Sequence, residues 1–182
     1  MEYTDGLETE RLKTRFLRLE DAMLWAEFCA DPICTAYFGY DNSLSPLQWA
    51  QEWIAFAMKR YETGRLGLQA LISRENGAFI GQCGLIVQEV NGREVIEIGY
   101  HLISKYHGNG YATEAAQMFR DFGFEHNFAD SIVSIIHPLN TNSKKVAIRN
   151  GMKLVETNAL FRGKECNLFR ITRAEWELLN SK

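Results

Sequence analysis

His107-Gly108-Asn109-Gly110-Tyr111-Ala112-Thr113-Glu114 is the stretch on which the fold turns. Before it lies a long strand-like run, residues 94–103, followed by a loop over 104–110. After it comes a helical pattern over 111–127 that puts Ala112, Ala115, Ala116, Phe119 and Phe122 on one face. The next apolar run, Ser131-Ile132-Val133-Ser134-Ile135-Ile136, is of the buried parallel type. Strand, helix and strand in that order form a right-handed βαβ unit, so its two strands are predicted to be parallel. Gly108 and Gly110 let backbone N–H groups come close to a ligand. The start of the helix adds the positive end of its dipole. Together they suit a phosphate or pyrophosphate, although a ligand-free glycine turn carries the same letters. A Walker loop would need Gly-Lys-Ser/Thr, which is absent. A dinucleotide fingerprint would need a third small residue where Thr113 stands and an acid ending the next strand, whereas Asp130 precedes it.

On the N-terminal side, residues 12–19 alternate Leu12, Thr14 and Phe16 with Lys13 and Arg15 and read as a first strand. Glu20 and Asp21 open a helix with Ala22, Trp25, Ala26 and Cys29 on one face, ending before Pro32. A second helix starts near Ser45-Pro46, with Ala50, Trp53, Ile54, Ala57, Met58 and Tyr61 at helical spacing up to Gly64. Strands over 67–73 and 78–90 follow, and Asn91-Gly92 is a hairpin signal leading into 94–103. Beyond the βαβ unit come a short helix over 140–150, strands over 153–160 and 167–172, and a helical turn near 174–179. The whole is an α/β chain (α+β mixed), predicted as one domain over residues 1–182. Its central sheet is mixed and mostly antiparallel, with one parallel βαβ unit.

Composition narrows the function. With 182 residues, 46% hydrophobic and 24% charged, the chain can bury a full core without metal or disulfide staples. A net charge of −3, from 20 basic and 23 acidic residues, argues against a nucleic-acid partner. Its apolar runs are only a few residues long, so no membrane partner is expected. Cys29, Cys34, Cys83 and Cys166 form no CxxC pair, so no metal site is expected and the thiols are read as reduced and buried. Met1-Glu2-Tyr3-Thr4-Asp5 has neither a basic nor an apolar leader region, which makes the expected location cytoplasmic.

The pattern resembles the GNAT superfamily of acetyl-CoA-dependent N-acetyltransferases, whose signature loop is Arg/Gln-x-x-Gly-x-Gly/Ala. Here that register gives His107-Gly108-Asn109-Gly110-Tyr111-Ala112, with His107 in place of Arg or Gln. Thr9-Glu10-Arg11-Leu12 and Leu17-Arg18-Leu19-Glu20-Asp21 are similar to the opening of the branch that includes the ribosomal-protein alanine N-acetyltransferases (RimJ/RimL-like). Glu97-Ile98-Gly99-Tyr100-His101-Leu102 resembles that branch's fourth strand. Asn140-Thr141-Asn142-Ser143, followed by Asn150-Gly151-Met152, resembles its second cofactor motif, with Met152 for Phe.

The resemblance implies direct acetyl transfer to a primary amine, without a covalent enzyme intermediate. It implies acetyl-CoA contacts at Tyr100, Leu102, His107, Gly108, Asn109, Gly110, Tyr111, Ala112 and Thr113, and at Asn140 and Ser143. Backbone N–H groups near residues 100–102 would form an oxyanion hole, and Ser143 would assist the leaving thiolate. Asn140 and Ser143 have a second reading as mere helix caps, and Lys144 and Lys145 as a solvated face. Glu97 is the candidate base, for a partly buried carboxylate can take the ammonium proton; it could also be a surface strand residue. His101 and His137 are alternative bases. Tyr37-Phe38-Gly39-Tyr40 is the candidate acceptor wall, with Tyr37, Phe38 and Tyr40 as its side chains. The acceptor implied is a ribosomal or other protein N-terminus, with a polyamine or antibiotic amine as the alternative, on a monomer or homodimer. A non-catalytic acyl-CoA-binding module is the rival from another class.

Overall fold

Two large apolar cores, one under each helical layer, are built by the patterns above, with a smaller cluster of Val90, Val133, Ala159, Cys166 and Leu168 at the other end of the sheet. The computed structural model describes residues 3–38 and 43–181. Its strands are β1 (Leu12–Arg15), β2 (Gln69–Ser73), β3 (Phe79–Val90), β4 (Arg93–Leu102), β5 (Ser131–Ile136), β6 (Lys153–Phe161) and β7 (Lys164–Thr172). The helices are α1 (Asp21–Ala30), α2 (Pro32–Thr35), α3 (Pro46–Glu62), α4 (Tyr111–Glu125), α5 (Thr141–Arg149) and α6 (Arg173–Asn180). One seven-stranded sheet runs β1-β2-β3-β4-β5-β7-β6, antiparallel at every step except β4–β5. That is the mixed, mostly antiparallel sheet predicted, with its single parallel pair.

Helix α4 lies on β3 and β4 and seals the first core with Phe119 and Phe124 against Leu85, Ile98 and Ile132. Full burial of each such side chain contributes about 1.5–3 kcal/mol. At Gly123 a Cβ would meet Ile132 Cδ1 at 2.8 Å, so the helix reaches the sheet only because that residue has no side chain. The second core joins α1 and α3 to the sheet through Trp25, Phe28, Ile54 and Phe79. Helix α3 starts with a capping box between Ser45 and Gln48, as its Ser-Pro start signals.

Among the boundaries that differ from the sequence reading, four show their physical reason. Strand β1 stops at Arg15, because the Phe16 N–H turns to the Asp5 carboxylate at 2.7 Å and leaves the ladder. Pro32 does more than end α1. With Asp31 accepting from the Ile33 N–H at 2.8 Å, it serves as the first residue of the short helix α2. Helix α4 ends at Glu125, where Asn127 takes a left-handed φ of 55°. The last hairpin is longer than expected, since Arg162 and Gly163 make a tight turn that keeps 161 and 164 paired.

Candidate active site

A cleft opens where β4 and β5 part. The two strands are paired only at Ile96↔Ile132 and Glu97↔Val133. Beyond that point the Ser134 hydroxyl donates to the Ile98 carbonyl at 3.2 Å, and no ladder follows. Because the Ile98 carbonyl faces β5, alternation points the backbone groups of Tyr100 and Leu102 toward β5 as well, into the cleft. The Leu102 carbonyl is occupied by His107 Nε2 at 2.9 Å and approached by the Cys34 thiol at 3.6 Å. His107 is thus turned back onto the end of its own strand and pins the loop there. The Tyr100 phenol crosses the cleft and donates to the Ser143 carbonyl at 3.0 Å. Burial raises its pKa, so it stays protonated.

The glycine loop forms the cleft's upper rim. Gly108 and Gly110 both take left-handed backbone, with φ of 79° and 82°, which L side chains adopt only under strain. Gly110 is the N-cap of α4 and brings no side-chain cap. Its carbonyl accepts from the Glu114 N–H at 3.1 Å, so the N–H groups of Tyr111, Ala112 and Thr113 lie ahead of the helix's first bond. Such a terminus attracts an anion through aligned donors and dipole together. Asn109 braces the loop from inside, its Nδ2 donating to the carbonyls of Tyr106 and His107 at 3.2 Å each.

The β5–α5 turn supplies the opposite wall. Asn140 Oδ1 accepts from the Ser143 N–H at 3.0 Å, so this side chain is the N-cap of α5. Its spacing with Ser143 is therefore spent in part on capping, as the second reading allowed. Asn140 and Ser143 nevertheless both line the cleft, and so do Lys145 and Arg149.

Glu97 sits at the floor, on the last paired step of β4. Its Oε2 accepts from Gln88 Nε2 at 2.9 Å. Burial pushes its carboxyl above the usual range, while the Gln88 amide, a backbone hydrogen bond with Ile135 and the charge of Arg162 pull it partway back. His101 is packed edge-on among Phe28, Phe38 and Trp53, at centroid distances of 6.1, 5.0 and 5.4 Å. Burial drops its pKa to about 4, so it is neutral at pH 7. His137 stacks on Tyr37 at 4.8 Å and accepts from the Leu139 N–H at 3.2 Å.

Tyr37 donates to the Leu139 carbonyl at 3.3 Å, bridging the α2 side and the β5–α5 turn over the cleft. Phe38 is half-buried and belongs mainly to the aromatic core, with Trp53 at 5.5 Å. Tyr40 lies outside the described residues. All the other candidate residues line one cavity of ≈ 940 Å³, except Asn109, whose carbonyl faces Arg11. The volume is at the upper end for a small-molecule site. Unpaired strand edge, uncapped helix start and glycines without Cβ atoms suit a long pantetheine-pyrophosphate ligand. Among the described residues no cluster of His, Cys, Asp or Glu could hold a metal.

Three supporting groups escaped the sequence reading. Arg11 donates through Nε to Glu114 Oε2 at 2.7 Å and through Nη1 to the Asn109 carbonyl at 2.9 Å, and its guanidinium lies 4.5 Å from the Tyr111 ring centroid. Thr9 adds a hydroxyl bond to Glu114 Oε1 at 2.6 Å, so the N-terminal segment straps the loop. Gln88 is the third, and the hairpin could have revealed it. A two-residue turn at Asn91-Gly92 pairs 90 with 93, hence 86 with 97, and puts Gln88 diagonally beside Glu97.

A sheet parted around a cavity, with a free helix start on its rim and a carboxylate on its floor, suits a phosphate-bearing ligand held beside a proton acceptor. Residues 11–153 match the family described as acetyltransferase (GNAT) domain. The chain is 33% identical over 143 residues to the uncharacterized N-acetyltransferase p20 of Bacillus licheniformis, covering 78% of this chain and 79% of that protein. An acetyltransferase from Agrobacterium tumefaciens superposes with a TM-score of 0.77 at 28% identity, over 94% of this chain and 96% of that one. RimL, a ribosomal L7/L12 alpha-N-protein acetyltransferase solved with coenzyme A, shares the fold with a TM-score of 0.73 at 13% identity, over 90% and 95% of the two chains. The chain belongs to the GNAT acetyltransferase family and is an N-acetyltransferase using acetyl-CoA.

Proposed function

We propose that the protein transfers the acetyl group of acetyl-CoA directly to a protein N-terminal α-amine, in the manner of the RimJ/RimL-like branch, and that it works in the cytoplasm. The observation that carries this reading is the parting of β4 and β5 immediately beyond Glu97. It leaves the Tyr100 and Leu102 backbone groups, the 107–113 rim and the Asn140/Ser143 wall around one cavity. Bound acetyl-CoA supplies an activated thioester. Gly108, Gly110 and the N–H groups of Tyr111, Ala112 and Thr113 hold its phosphates, and Asn140 borders its arm. Backbone N–H groups of Tyr100 and Leu102 stabilise negative charge on the carbonyl oxygen as it develops. Glu97 takes the ammonium proton, and Gln88 fixes which oxygen faces the cavity. The Ser143 hydroxyl donates to the departing sulfur, while the Tyr100 phenol holds the Ser143 backbone in place.

No group acts as a covalent carrier. All four described cysteines are free and buried, and burial raises the Cys34 thiol, the one beside Leu102, to about 11, far from a reactive thiolate. An open cleft flanked by the α2–α3 region and the β6–β7 hairpin suits a peptide end. The test is thiol release from acetyl-CoA against peptides with free or blocked α-amines, polyamines and antibiotic amines. Release that requires a free peptide α-amine upholds the reading. Turnover only on a polyamine or antibiotic replaces the acceptor, and binding without turnover on any amine would leave a mere acyl-CoA-binding module.

A further inference from the structure

Two arginines stand on the acceptor side of the cavity without a carboxylate partner. Arg60 comes from the last turn of α3, and Arg162 from the tip of the β6–β7 hairpin, and both line the same cavity as Glu97 and Gln88. None of the ion pairs among the described residues includes either one. Arg60 Nε donates to the Leu66 carbonyl at 2.5 Å, which fixes the guanidinium, and its Nη2 is buried with no hydrogen-bond partner. A buried donor left unpaired costs free energy, more so on a charged group. Burial, followed by the like charges of Arg65 and Arg162, lowers the pKa of Arg60, as expected for positive charges that no protein group neutralises.

Arg162 carries a second sign. It sits with φ 50° at the first central position of the Arg162-Gly163 turn, where Asn, Asp or Gly is the ordinary occupant. The turn sets that left-handed backbone, and an arginine there places its guanidinium at the hairpin tip, where the side chain is exposed. Its guanidinium rests 5.0 Å from the Phe161 ring centroid, on the cavity rim. Glu97 feels its charge but forms no ion pair with it and is engaged by Gln88 instead. Glu52, Lys164 and Glu165 also border the cavity; Glu52 lies eight residues before Arg60, two helical turns or about 12 Å up α3.

We infer that the acceptor carries a carboxylate close to its amine, seated between Arg60 and Arg162 while the amine meets Glu97. The inference rests on the acceptor reading above and narrows it. The shared chemistry is an amine with a neighbouring carboxylate. It can come from a peptide whose N-terminal residue is followed by Asp or Glu, or from a free acidic amino acid.

The experiment measures kcat/KM for acetylation of Ala-Asp-Asp, Ala-Asn-Asn and Ala-Lys-Lys peptide amides and of free aspartate. A charge-assisted contact to each arginine gives the Asp peptide or free aspartate an advantage of about tenfold or more over the Asn peptide. Arg162→Gln and Arg60→Gln each bring that ratio down to within about threefold of unity, whereas Lys59→Gln, exposed on the same helix and outside the cavity, keeps it. The exposed Arg162→Gln carries the test alone should Arg60→Gln fail to fold. No advantage of either the Asp peptide or free aspartate over the Asn peptide, or a preference that survives in Arg162→Gln, overturns the inference and leaves the N-acetyltransferase reading standing. Acetyl-CoA binding with no acetylation of any amine overturns both.

Discussion

Replacing Glu97 with Gln removes a proton acceptor and little else. The side chains have the same shape, β4 keeps its pairing with β3 and β5, and the amide oxygen can still accept from Gln88 Nε2, now 2.9 Å from Oε2. An α-amine has a pKa near ~8, so at pH 7 only about a tenth of the acceptor is free base. A positioned base typically contributes 10²–10⁴-fold. Burial raises the carboxyl of Glu97, which brings it closer to the pH at which it must work. We expect kcat of Glu97→Gln to fall by 10²–10⁴-fold at pH 7. The deficit should shrink with rising pH, about tenfold per unit below the amine's own pKa, because solvent then supplies the free base. The assay is a pH–rate profile of thiol release on one accepted amine. A variant with the kcat and pH profile of the parent refutes the base assignment, and a raised KM with kcat kept makes Glu97 a holder of the ammonium.

Gly110→Asp puts a Cβ 3.4 Å from Arg11 Nη2 at φ 82°, and a negative charge at the rim proposed to hold the phosphates. Acetyl-CoA affinity by calorimetry should fall at least about tenfold, or ~1.4 kcal/mol, and an unchanged affinity in a folded variant would contradict the loop assignment. Ser143→Ala should lower kcat with acetyl-CoA affinity nearly intact, since a bond to the departing sulfur strengthens only as charge develops; a parental kcat would reduce Ser143 to a cap residue. His101 has a folded pKa of about 4 against 6.5 when exposed. The unfolded chain therefore binds the extra proton as pH falls through 6.5, and stability is lost down to about pH 4. The loss is about 3 kcal/mol. Urea midpoints across that range should show it in the parent and not in His101→Gln, and parallel curves would contradict it.

The βαβ unit was legible because its period changes sharply: residues 131–136 are mostly Ile and Val, and α4 repeats Ala and Phe at helical spacing. The Asn91-Gly92 turn fixed the β3–β4 register as well. What the sequence concealed was carried by long-range contacts or atypical residues. Nothing local announces that Arg11 would reach Glu114, 103 residues away, or that the last hairpin would turn on an Arg in left-handed backbone. Pro32 read as a stop and acts as a start, because the same fixed φ serves both. In the site, the glycine rim could be read from letters, whereas His107 could not, since its partner is the Leu102 carbonyl. Asn140 illustrates a motif with two physical uses, and its capping bond became visible only in three dimensions.

The central claim is that an acetyl group passes straight from acetyl-CoA to an amine in the cleft between β4 and β5. Mass spectrometry with acetyl-CoA labelled in its acetyl carbons tests it most directly. The label should appear on the nitrogen of the acceptor amine, with none retained on the protein when the amine is withheld, and its transfer should collapse in Glu97→Gln at pH 7. Label held covalently on Cys34 or any other residue before the amine is added, or absent from every amine offered, would contradict the account.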